Sequence, residues 1–216
     1  MVKSRKFDLV IWDWNGTLLD DTAMCFQIAN EMRLERGMEP MPSLEAYRSV
    51  FRFPVIEYYR RMGYTFETES YEDVSREFIA TYAERVPSCP LQPCAEDVLK
   101  EVLAHGTRQV LLSATGQQKL DEQVALFSLE RYFERVIGNR NDLAHGKADY
   151  AQEFLLESGV SPARALFVGD TDHDFEIADS IGCACALLIP GHQTRAHLSR
   201  FRAALLDSLC EVPTLL

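Results

Sequence analysis

The sequence predicts an α/β protein: a doubly wound parallel sheet carrying an inserted α-helical cap. Three observations predict it. Short apolar runs recur along the chain and are continuous rather than alternating, the pattern of strands buried on both faces. Helical patterns separate these runs, which implies parallel strands with helices on both sides of the sheet. One long interval, residues 21–88, breaks the rhythm and holds no convincing strand. The expected division is therefore an α/β core formed by residues 1–20 and 89–216, with a helical cap at residues 21–88.

The first strand is expected within "FDLVIWD" (7–13), where apolar residues run directly into Asp13. The insert then reads as helices near 22–36, 43–50, 54–62 and 71–86. The last of these places Tyr71, Val74, Phe78, Tyr82 and Val86 roughly one turn apart. "PSCPLQPC" (87–94) carries three prolines and reads as the linker back to the core. "AEDVLKEVLAHG" (95–106) puts Val98, Leu99, Val102 and Leu103 on one helical face, with Gly106 to end it. Further strands are expected in "RQVLLSA" (108–114), "RVIG" (135–138), "ALFVGD" (165–170) and "CACALLI" (183–189). Between them, "ADYAQEFLLESG" (148–159) presents Ala151, Phe154 and Leu155 on one face and closes on a glycine.

Composition narrows the function. Over 216 residues, 47% are hydrophobic and 25% charged, an ordinary balance for a globular chain. The net charge of −11 repels nucleic-acid backbones and anionic membranes, so neither is an expected partner. An anionic small molecule needs local positive charge here, and a divalent cation is the natural supplier. The six cysteines show no CxxC pair and no zinc spacing. They are expected to be reduced thiols in a cytoplasmic protein. The basic N-terminus "MVKSRKFD" is followed by an apolar run too short for a secretory signal, and no run approaches the ~20 residues of a membrane span. Nothing in the chain declares an oligomeric state.

Chemistry-bearing residues collect at the downstream ends of the strands, where ligands bind in open parallel sheets. Asp13 ends the first strand and is followed by "NGT", Ser113 ends the second, and "GDTDHD" (169–174) follows the fourth. Lys147 opens a helix. Taken singly these are capping and turn residues; taken together they deliver acids, a hydroxyl and a lysine to one edge.

In these residues the chain resembles the haloacid dehalogenase superfamily of phosphatases and phosphotransferases. "DWNGT" (13–17) matches that family's first motif, DxDGT, save at Asn15. "LLSAT" (111–115), Lys147 and "GDTDHD" match the other three motifs in order, and the helical insert matches a small α-helical cap. The nearest subgroup is phosphoglycolate-phosphatase-like. The resemblance implies an Mg²⁺-dependent phosphatase acting on a small phosphorylated metabolite through an aspartyl-phosphate. Asp13, the backbone carbonyl of Asn15, and Asp170 would hold the metal, with Asp174 orienting its waters. Asp13 would be the nucleophile. Ser113 and the backbone around Gly16, Thr17, Ala114 and Thr115 would hold phosphoryl oxygens, with Lys147 opposing the developing charge.

Asn15 departs from the family, whose usual aspartate there passes a proton to the leaving group and takes one from water. An amide does not titrate. The expected consequences are slow turnover, a substrate whose leaving group needs no proton, or a silent protein that only binds. A phosphomutase is disfavoured by the same residue. A phosphonate hydrolase is disfavoured because no lysine occurs between Lys6 and Lys100. Arg52, set among aromatics in "VFRFPVIEYY" (50–59), is the candidate for a substrate carboxylate or second phosphate.

Overall fold

The computed structural model describes residues 6–140 and 146–216; the basic residues 1–5 read above lie outside the described part. Six parallel strands form one sheet: β1 (Leu9–Trp12), β2 (Arg108–Gly116), β3 (Arg135–Asn139), β4 (Ala165–Gly169), β5 (Ala184–Leu188) and β6 (Ala204–Leu206). Their order is β3-β2-β1-β4-β5-β6. The sheet grows outward in both directions from β1, so a crevice opens beyond the carboxyl ends of β1, β2 and β4. The sixth strand was not expected, since "ALL" is too short to stand out from its surroundings.

β1 is LVIW, buried along its whole length. Trp12 and Trp14 lie on either side of Asp13 in sequence and are fully buried. Their indole N–H groups donate to Gln109 (3.0 Å) and Gln123 (2.7 Å). A buried indole is costly unless its N–H finds a partner; here both do, and Asp13 is anchored on each side. The Asp13 N–H extends the ladder to the Val168 carbonyl at 2.8 Å.

Four helices follow: α1 (Thr22–Glu35), α2 (Leu44–Val50), α3 (Val55–Arg61) and α4 (Tyr71–Arg85). They match the four expected from the insert, and Ser43 and Ser70 cap α2 and α4 through their hydroxyls. Cys25, Ile28, Met32, Tyr47, Tyr58 and Val74 bury one another in a cluster of their own. The chain leaves and re-enters the sheet side by side: Asp20 N–H bonds the Pro90 carbonyl and Gln92 N–H the Leu18 carbonyl, both at 2.9 Å.

Then come α5 (Ala95–Ala104), α6 (Gln117–Leu126), α7 (Lys147–Ser158), α8 (Asp172–Ile181) and the single turn α9 (Arg195–Leu198). α7 buries Ala151, Phe154 and Leu155 as expected and ends at Gly159, whose φ of +69° suits a left-handed cap. α5 departs from expectation in one residue. Ala95 joins Val98, Leu99 and Val102 in the core, while Leu103 is half exposed.

The expectation of reduced cysteines is overturned at one pair. Cys94 and Cys210 form a disulfide across 116 residues of sequence. α5 packs on the C-terminal 3₁₀ segment (Leu209–Leu215) and brings the two thiols together, which no sequence spacing announces. Cys25, Cys89, Cys183 and Cys185 are free thiols. Cys183 and Cys185 pack against the same apolar cluster.

Candidate active site

β1, β4 and α8 bring three carboxylates to the crevice, and α7 brings one ammonium. Asp13, Asp170 and Asp174 are buried, and one oxygen from each lies within 4.8 Å of the others. Lys147 opens α7 and reaches back to bridge Asp13 (2.5 Å) and Asp174 (2.7 Å). Asp174 stands in the first turn of α8, which begins at Asp172. Its second oxygen accepts from the Asp170 and Thr171 N–H groups and the Thr171 hydroxyl, at 2.8–3.2 Å.

Asp170 is enclosed at close quarters. A Cβ on Gly16 would lie 2.4 Å from its Oδ2, and one on Gly191 would lie 2.2 Å from its Cβ. The two glycines let backbone close over the carboxylate, and Gly16 also needs a φ of +74°. The His192 N–H donates to Asp170 at 2.6 Å.

The electrostatics call for a cation. Burial, followed in effect by the opposing charges of Lys147 and Asp174, leaves the Asp13 carboxyl raised to about 6. Burial, with Asp174 and Asp13 nearby, pushes Asp170 up to about 8 despite the counteracting charge of His192. Burial works against Asp174 too, but Lys147 and the Thr171 bonds hold it below the usual carboxylate range. Lys147 is desolvated, yet its two acids raise it above its ordinary value. Burial and crowding shift Asp13 and Asp170 toward their protonated forms, and a hard divalent cation would favour the ionised ones, so the donor set fits one. A second trio, Asp21, Cys25 and His192, also has its donor atoms within 4.8 Å. Burial raises its thiol well above the ordinary value, so Cys25 stays protonated and is a poor ligand.

The opening motif is tied to the insert by residues that sequence reasoning did not single out. The Asn15 amide donates to Asp21 (2.9 Å) and to the Tyr82 hydroxyl (2.6 Å). Its oxygen accepts from Thr115 (2.9 Å) and more loosely from Ser113 (3.4 Å). Asp21, almost wholly buried, also accepts from Tyr82 (2.7 Å) and the Gly16 N–H (2.9 Å) and pairs with His192 (3.1 Å). Burial works to raise Asp21, but His192 and the hydrogen bonds from Tyr82 and Asn15 bring it below the usual carboxylate range. Burial likewise opposes charge on His192, yet Asp21 raises it overall. The other His192 ring nitrogen meets the Tyr47 hydroxyl at 2.9 Å. Asp21 follows a second acid in "LLDD" and sits where the insert begins, the one local signal of its place; His192, Tyr47 and Tyr82 carry none.

The other expected residues fall into two groups. β2 does not end at Ser113 but continues to Gly116, and the Ser113 and Thr115 hydroxyls near its end reach the Asn15 oxygen. Thr17 is buried with its hydroxyl on Asp170 (3.1 Å), and the Gly16 N–H is taken by Asp21. Ala114 lines a cavity of about 100 Å³ together with Asp13, Asn15, Lys147, Asp170 and His192. Arg52 is not among the residues lining it: its guanidinium bonds the Phe51 carbonyl.

The haloacid dehalogenase-like hydrolase family model matches residues 10–188, which contain these groups except Gly191 and His192. The chain belongs to that family. A phosphoglycolate phosphatase of Pseudomonas savastanoi pv. phaseolicola is 26% identical over 192 residues, covering 85% of this chain and 70% of that protein. Two solved structures share the fold. A haloacid dehalogenase-like family hydrolase from Streptococcus pneumoniae superposes with a TM-score of 0.80 at 18% identity, covering 97% of this chain and 98% of its own. A predicted phosphoglycolate phosphatase from Haemophilus somnus 129pt gives 0.77 at 18% identity, covering 98% and 99%. No helix among the described residues of this hydrolase is long and apolar enough to cross a membrane.

Proposed function

We propose that this hydrolase is an Mg²⁺-dependent phosphatase acting on a small phosphate ester. The observation that carries the reading is the setting of Asp13: a rigid carboxylate at a strand end, 2.5 Å from the Lys147 ammonium and within the acidic trio. The family membership and the phosphoglycolate phosphatase relatives support the same reaction class.

Asp13, the Asn15 carbonyl and Asp170 would hold the metal, and Asp174, its oxygens occupied by Lys147 and Thr171, would orient bound water. When bound, Mg²⁺ supplies positive charge that lets an anionic nucleophile approach an anionic phosphoryl group. An oxygen of Asp13 attacks phosphorus and forms a new O–P bond as the bond to the alcohol oxygen breaks. Lys147 opposes the charge spread over the phosphoryl oxygens. The leaving oxygen takes its proton from water, since Asn15 has none to give. Water then adds to phosphorus, releasing phosphate and restoring Asp13.

Phosphate release from an aryl phosphate, with and without Mg²⁺ and a chelator, tests the reading. Asp13→Asn is expected to abolish release while leaving the circular dichroism spectrum intact. Release that survives both that substitution and chelation would overturn the mechanism. Asp170→Asn is expected to raise the Mg²⁺ concentration needed for activity.

A further inference from the structure

A second cavity adjoins the acidic trio, and its lining differs from what an acidic metabolite requires. It encloses about 270 Å³ between the end of the sheet and the inserted helices, with Tyr47, Phe51, Val55, Tyr58, Phe78 and Ile79 forming the helical wall. Asn15, Phe51, Ala114 and His192 line both this cavity and the one holding Asp13 and Lys147. An ester whose phosphorus lies at Asp13 therefore directs its alcohol portion past Asn15 into this space.

Among the described residues lining the larger cavity there is no lysine and no arginine. No arginine of the insert is among those lining residues, and three of them are engaged elsewhere. Arg48 bonds the Pro190 and Gly191 carbonyls, Arg52 the Phe51 carbonyl, and Arg36 is held between Glu69 and Glu77. His192 is the one lining residue able to carry a positive charge, and its ring nitrogens are taken by Asp21 and Tyr47. The remaining charged group is Asp21 itself. A carboxylate or second phosphate placed here would lose its water, gain no cation and face an anion. An apolar ring meets the faces and edges of Tyr47, Phe51, Tyr58 and Phe78 instead. Size agrees: an engineered apolar cavity of about 150 Å³ accepts benzene. Ile79, Tyr82, Ala114 and Thr115 also border a cleft of about 490 Å³ on the α4–α6 side, where a ring substituent has room to extend.

We infer that the alcohol portion of the substrate is uncharged and apolar, of benzyl size or larger, rather than a hydroxy acid or a sugar. This rests on the phosphatase reading for its phosphate end, while the recognition of the other end stands on the cavity alone.

The test is calorimetric titration of the Mg²⁺-loaded protein with two non-hydrolysable probes, benzylphosphonate and phosphonoacetate. It runs in parallel with phosphate release from benzyl phosphate and phosphoglycolate. Benzylphosphonate is expected to bind about tenfold tighter or better, the scale on which an apolar pocket discriminates. Ile79→Arg, at a half-exposed position on the wall, is expected to narrow or reverse that ratio. Equal or tighter binding of phosphonoacetate, a ratio indifferent to Ile79→Arg, or phosphoglycolate turnover matching that of benzyl phosphate would overturn the inference. Preferential binding of benzylphosphonate without release from either ester would uphold the cavity assignment and overturn the phosphatase reading. Failure of both probes to bind would overturn both.

Discussion

Asn15→Asp restores the acid that the family motif usually carries, and the structure sets its cost. The Asn15 amide nitrogen lies 2.9 Å from an oxygen of Asp21 and donates to it. A carboxylate in that place would face a carboxylate. At 2.9 Å and an effective dielectric of ~20, two unit charges repel by roughly 6 kcal/mol. Protonating one carboxyl of ordinary pKa at pH 7 costs less, about 4 kcal/mol. The variant therefore takes up a proton, and the resulting O–H···O⁻ bond returns roughly 1.5–3 kcal/mol. Tyr82 then lacks the donor that Asn15 supplied, so the net loss is about 2 kcal/mol. That corresponds to a melting temperature lower by roughly 4–8 °C for a chain of this size.

The pH dependence has a definite sign. The new carboxyl has a folded pKa above its unfolded value, so its penalty is absent below about pH 4 and grows as pH rises toward the folded pKa. At pH 5 the protonation cost is only about 1.5 kcal/mol, which the new hydrogen bond offsets. Calorimetric melts of wild type, Asn15→Asp, Asp21→Asn and the double variant at pH 5 and 7.5 measure this directly. The double variant, with acid and amide exchanged, is expected to recover most of the loss. A single variant that melts like wild type at both pH values, or a double variant with no recovery, would refute the reasoning.

Three further outcomes follow from the geometry. Mg²⁺ held as proposed would displace protons from Asp13 and Asp170, raised to about 6 and about 8, so the stabilisation it confers is expected to grow from pH 5.5 to 8 in thermal melts. Reducing the Cys94–Cys210 disulfide, or replacing Cys94 by Ser, is expected to cost about 2–4 kcal/mol, read as a lower denaturant midpoint that reductant reproduces in wild type and leaves unchanged in the variant. Asn15-Gly16 is a deamidation-prone pair, but the Gly16 N–H is bonded to Asp21 at 2.9 Å and the Asn15 amide is held by Asp21 and Tyr82. Peptide mass measurement is expected to find Asn15 intact after incubation of the native protein and converted after incubation in denaturant.

The sequence by itself determined the sheet, the helices between its strands, and the acids at its edge. These are local: a strand buried on both faces needs a continuous apolar run, and a residue directly after such a run lies at the strand's carboxyl end. Asp13, Ser113 and Asp170 were legible for that reason, and Lys147 because it opens a helix on the same edge. β6 was missed because three apolar residues make too short a signal. Only the tertiary structure decided what surrounds that edge. Asn15 alone reads as a lost acid; its meaning changes when Asp21, six residues on, and Tyr82, brought from the fourth helix of the insert, come within hydrogen-bond reach. His192 meets Tyr47 and Asp21 across more than a hundred residues, as Cys94 meets Cys210. Arg52, chosen for its aromatic neighbours in sequence, turns to a backbone carbonyl while Phe51 and Tyr58 from the same stretch line the wall. Periodicity records which face of an element is buried, but not which distant element covers it; pairings of single polar groups carry no period, and packing alone sets them.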